Sequence, residues 1–132
     1  MTIQMNTKYL MISSSIVTGV LGVFASFLPK EILNNVGLTA SEFPTLVIQI
    51  AGALYLGFAM MNWMAKTVLI GGIYARPLCM GNFLHFAIAA VVLIKVTINT
   101  TSLKFVWVAT IVYSIFAILF GIVLFTNPKK KQ

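Results

Sequence analysis

The chain has 132 residues, of which 60% are apolar and only 8% charged. Soluble domains carry about 25% charged residues, so this surface cannot face water and its outer face must meet lipid. The net charge of +7 comes from nine basic residues against two acids, Glu31 and Glu42. The basic residues are scattered at predicted helix ends rather than gathered on one face. That pattern makes anchoring to lipid headgroups a better reading than a nucleic-acid surface.

A membrane span needs about 20 mostly apolar residues. The first predicted span runs Tyr9 to Leu28 (9–28), free of charge and stopped by Pro29. Its apolar run is longer than the core of a signal peptide, so it is expected to stay as a helix. Lys30 to Asn35 reads as a short interfacial turn closed by Gly37. Thr39 and Glu42 have capping-box spacing, and Pro44 favours a helix start nearby. The second span covers 45–66, with a continuation to Ile70 before the natural stop at Gly71-Gly72. Pro77 opens the third span, 77–98. Asn99 to Ser102 form a polar turn with Ser102 as N-cap, and the fourth span covers 103–126, ended by Asn127-Pro128. Short connections make neighbouring helices antiparallel, so the expected fold is all-α, a transmembrane antiparallel four-helix bundle forming one domain over residues 1–132.

Both termini fall on one side, together with Lys8, Lys66, Arg76 and the three tail lysines; Lys30, Lys95 and Lys104 lie on the other. The asymmetry places both termini in the cytoplasm, with the cell membrane as location. Stripes of small residues predict helix contacts: Ser14, Thr18, Gly22 and Ser26 in the first span, Ala53 and Gly57 beside Gly52 in the second, and Thr110, Ser114, Ala117 and Gly121 in the fourth. Trp63, Tyr74 and Trp107 suit interfacial belts.

Cys79 is the single cysteine, which excludes thiol–disulfide exchange within the chain. One histidine and two acids, spread along the sequence, leave too few ligands for an intrachain metal site. No catalytic group and no cofactor is expected. Paired-carboxylate hydrolysis is excluded because both acids fall in one loop. Small proton-coupled multidrug transporters need an acid in the first span, and this span has none. Membrane enzymes that handle glutathione use several arginines, where this chain has only Arg76.

Polar groups inside a bilayer are costly and therefore candidates for function. Cys79, Asn82 and His85 recur every three residues on one face of the third span, with Asn62 and Arg76 near the same membrane side. One reading is a ligand pocket lined by Asn62, Arg76, Asn82 and His85, in which Arg76 holds an anionic headgroup or carboxylate and His85 donates a hydrogen bond or exchanges a proton. The other is interhelical glue, with the two asparagines bonding across helices. Both stay open on the sequence.

Phe27-Leu28-Pro29, followed after a short loop by Gly52-Ala53-Leu54-Tyr55-Leu56-Gly57 and Asn62-Trp63, resembles the small DoxX-like membrane proteins over roughly Tyr9 to Ala65. The resemblance implies a four-helix bundle of this length, and membrane redox or quinone-related roles in some relatives. The sterol-isomerase branch uses acids within the membrane; this chain lacks them, so that activity is not carried over. The leading expectation is a non-catalytic protein that binds a lipid-like ligand or supports a membrane complex. A quinone-linked redox protein or enzyme subunit is the alternative, and a small dimeric transporter a third. The expected partners are the lipid bilayer, a lipid or quinone ligand and a membrane protein partner, with no nucleic acid.

Overall fold

A computed structural model describes residues 6–68, 70, 74–99 and 104–126, which are helical with short connections and contain no strand. The helices are α1 (Thr7–Phe27), α2 (Pro29–Asn35), α3 (Glu42–Met64), α4 (Arg76–Asn99) and α5 (Lys104–Thr126), with a 3-10 turn at Ala65–Thr67 after α3. All but α2 are long and apolar enough to cross a membrane. The chain forms two compact units: Tyr9–Thr67, and Val68–Gln132 together with Met1–Lys8.

Backbone chemistry sets most of the helix ends. Asn6 caps α1, its Oδ1 accepting from the Lys8 N–H at 3.1 Å. The hydroxyls of Ser13, Ser14 and Thr18 donate back to the carbonyls of Leu10, Met11 and Ser14 at 2.8–3.1 Å. Such self-satisfaction is what lets hydroxyl residues sit in hydrocarbon. Leu28 leaves the helical region because the ring of Pro29 crowds the residue before it.

The segment after Pro29 differs from the sequence expectation. Residues 30–35 are not a turn but part of a helix, α2. Pro29 sits at its first position, where a missing N–H costs nothing, and Gly37 at φ +75° closes it. The Gly37 N–H donates to Asn34 O and the Leu38 N–H to Leu33 O, which is a Schellman ending.

The start of α3 also needs correction. Glu42, not Thr45, is its first residue, and no side-chain capping bond forms at its N-cap, Ser41. The capping box expected from Thr39 and Glu42 is therefore absent. Thr45 Oγ1 instead donates to Ser41 O at 2.7 Å, and Pro44 is accommodated within the first turn, where N–H groups lack intrahelical partners. The α-helix ends at Met64 and tightens into one 3-10 turn, so it does not run on to Ile70, which lies in a turn. Gly71-Gly72, the turn at 100–102 with Ser102, and the lysine tail lie outside the described residues. The third and fourth spans match expectation to within one residue, α4 starting at Arg76 and α5 at Lys104.

In the Tyr9–Thr67 unit, α1 and α3 run antiparallel, because their contacts descend along α3 as they ascend along α1. Asn62 meets Ser14, Ala59 meets Ser15, and Gln49 meets Ser26. Glycines set the closest approaches. A Cβ on Gly22 would lie 2.9 Å from the Leu56 backbone nitrogen, and one on Gly52 would lie 2.6 Å from the Ser26 nitrogen. The small-residue stripe of α1, expected to make a helix contact, meets α3 at Ser14, Gly22 and Ser26. On α3 the contact face differs: Gly52 is buried, whereas Ala53 and Gly57 are exposed, and a Cβ on Gly57 would meet nothing within 4 Å.

In the second unit, α4 packs along α5, again antiparallel. Cys79 Sγ reaches Phe120 O at 3.7 Å, and at the far end the Thr97 and Thr110 hydroxyls lie 2.8 Å apart. Between them Phe86, wholly buried, stacks on Phe116 at 4.8 Å and on Phe120 at 5.6 Å. The stripe expected on α5 is met at Thr110 and at Gly121, which lies against the Phe83 ring.

Candidate functional site

The four residues proposed from the sequence fall in different settings. Asn62 belongs to the Tyr9–Thr67 unit, while Arg76, Asn82 and His85 lie on α4 in the other unit.

Asn62 sits in the last turns of α3 and is wholly buried. Its Nδ2 donates to Ser14 Oγ at 3.0 Å, and that hydroxyl donates in turn to Met11 O at 3.1 Å. One turn earlier Ser15 Oγ donates to Ala59 O at 2.7 Å. Three polar side chains are thus spent on tying α1 to α3. A carbonyl in a helix has a second lone pair, so the Ser15 bond adds an interhelical link without breaking the α3 ladder.

On α4 the spacing read from the sequence holds. Cys79, Asn82 and Phe86 are buried, with His85 half-buried beside them. Asn82 Nδ2 donates within its own helix, to Leu78 O at 3.0 Å. The His85 ring packs edge-on against Phe86 at 5.0 Å and lies 5.9 Å from the Tyr113 ring. Tyr113 of α5, which the sequence reading did not single out, therefore stands beside His85. No spacing rule links positions on two separate helices.

Arg76 is exposed at the first position of α4. Nine residues separate it from His85, which at 1.5 Å per residue is about 13 Å along the helix. A compact headgroup held by Arg76 would not also meet the imidazole; an elongated ligand lying along α4 would. The structure therefore places Arg76, Asn82 and His85 on one helix without gathering them at one depth.

Other charged groups sit at helix ends. Lys66 follows α3 with its ammonium 3.3 Å from the centre of the Trp63 ring, a cation–π contact that holds the charge beside the negative end of the helix dipole. Among the described residues no three of the His, Cys, Asp and Glu side chains gather into a group able to hold a metal ion. Comparison with protein-family models, with curated proteins and with solved structures finds no match for this chain.

Proposed function

We propose that this chain is a non-catalytic, DoxX-like integral membrane protein of the cell membrane. Its four spans form one antiparallel bundle with both termini in the cytoplasm, and it works by binding a lipid-like ligand or by supporting a membrane complex. The observation that carries the reading is the Asn62–Ser14 bond. A polar group that a catalytic pocket would keep available is spent on holding helices together, which is the common use of amides inside bilayers. Exposed Arg76 is then the group that meets an anionic headgroup.

A second reading, a quinone-linked redox protein, is favoured by one observation: half-buried His85 packs beside the rings of Phe86 and Tyr113, which themselves lie 5.3 Å apart. Flat aromatic surroundings with a hydrogen-bonding imidazole suit a quinone headgroup.

Native mass spectrometry of the detergent-purified chain, with bound lipids extracted and identified, separates the two. An anionic lipid lost on Arg76→Gln and kept on His85→Phe supports the first reading. A quinone lost on His85→Phe and reducible while bound overturns it in favour of the second.

A further inference from the structure

Methionine thioethers are metal ligands too, softer than histidine or carboxylate. Three of the seven methionines, Met60, Met61 and Met64, lie within five positions at the end of α3. The Asn62–Ser14 bond fixes the rotation of this helix. Met60 and Met64 are each two residues from Asn62, hence about 160° round the helix from it on either side, and so only about 40° apart. Met61 lies one step from that pair. All three are exposed, by 60%, 46% and 72% respectively, whereas Met11 in α1 is wholly buried.

The spacing lets the sulfurs converge. Met60 and Met64 are four apart and Met61 and Met64 three apart, separations that bring Cβ atoms to about 5–6 Å. The methionine side chain has three rotatable bonds to close that gap. Thioethers are soft donors that select Cu(I)-like ions over hard cations. Glu42, the acid of this helix, stands at its opposite end, 22 residues from Met64. At 1.5 Å per residue that is about 33 Å away, so α3 itself offers a hard divalent ion no carboxylate at the site. The site also lies at the C-terminal end of a helix, where the macrodipole favours positive charge. Lys66 over Trp63 already uses that field, and the nearby ammonium favours an ion of single charge over one of double charge.

We propose that Met60, Met61 and Met64 form a thioether site for a soft monovalent cation, Cu(I) or its redox-inert counterpart Ag(I), at the C-terminal end of α3. The proposal stands independently of the function proposed above, since it uses neither Arg76 nor His85.

The test is titration of the full-length chain in detergent with Ag(I), read by native mass spectrometry and by the change in tryptophan fluorescence that an ion beside Trp63 produces. The wild-type chain and Met80→Leu, which alters an exposed methionine on α4, should each take up about one Ag(I), unaffected by excess Mg(II). The triple substitution Met60→Leu, Met61→Leu and Met64→Leu should bind about 100-fold more weakly, or worse, at unchanged helical circular dichroism. If the triple variant fails to fold, Met64→Leu alone, at the most exposed of the three positions, should weaken binding about tenfold. Failure of the wild-type chain to bind stoichiometrically, or undiminished binding in the methionine variants, overturns the proposal and makes these side chains lipid-facing hydrophobes.

Discussion

Gly52 and Gly57 lie five residues apart in one helix, and the structure assigns them opposite responses to the same substitution. A Cβ on Gly52 would stand 2.5 Å from Ser26 Oγ, 2.6 Å from Ser26 N and 2.9 Å from the Ala25 carbonyl carbon. Two of those three atoms belong to the backbone of α1, so no rotamer change relieves the overlap. Ordinary contact begins near 3.4 Å, and the helices must therefore separate locally by an amount on the order of 1 Å. Overpacking of this kind costs about 1–3 kcal/mol, against which alanine returns up to about 1 kcal/mol of helix propensity. Gly52→Ala should thus destabilise by up to about 2 kcal/mol. Gly57→Ala meets nothing within 4 Å, so it keeps the propensity gain and should be neutral or stabilising by up to about 1 kcal/mol. Reversible unfolding in mixed micelles of mild detergent and dodecyl sulfate, followed by circular dichroism, measures both. Equal tolerance of the two substitutions, or a larger loss at Gly57, would refute the assignment of the Gly52 face to α1.

Asn62→Leu removes the amide that bridges to Ser14, but the Ser14 hydroxyl keeps its bond to Met11 O. Interhelical bonds in membranes average about 0.6 kcal/mol and reach at most about 1.7, so the loss of this bond should not exceed about 1.7 kcal/mol, and a much larger value in the same unfolding assay would contradict this. Phe86→Ala removes the ring that stacks on both Phe116 and Phe120 and should cost about 3–5 kcal/mol, the largest loss of the set; a small loss would show that the α4–α5 pair is not packed around this ring. For topology, the buried Cys79 is first replaced by alanine, and single cysteines are then introduced at exposed Asn34 or Thr67. A membrane-impermeant maleimide added to intact cells should label position 34 and spare position 67, and the reverse pattern would invert the proposed orientation.

The spans and several of their ends were legible in the sequence because the forces that set them are local. A run of about 20 apolar residues decides that a segment can cross a bilayer. Pro29 and Gly37 fix where α1 stops and where α2 closes through backbone chemistry that needs no distant partner. The helix between them was missed because seven residues carry too short a pattern to separate a helical turn from a loop. The capping box failed for a related reason: Thr39 and Glu42 have the right spacing, but the chain places Ser41 at the cap, and spacing does not report which residue leaves the helical region.

The rotation of each span was decided by tertiary structure. In water, a helix announces its buried face by its apolar stripe; in lipid both faces are apolar, and hydropathy carries little signal about which one meets a neighbour. The sequence therefore identified Ala53 and Gly57 as readily as Gly52, and only the approach of α1 distinguished them. The polar residues behaved likewise. Asn62 reads as a possible ligand group until Ser14, 48 residues away, is seen to take its hydrogen bond. The sequence grouped His85 with residues of its own helix, and only packing brought Tyr113 of α5 to its side. Local composition determined that four helices are long and apolar enough to cross a bilayer. Whether its buried polar atoms are ties or sites depends on partners that only folding brings within hydrogen-bonding distance.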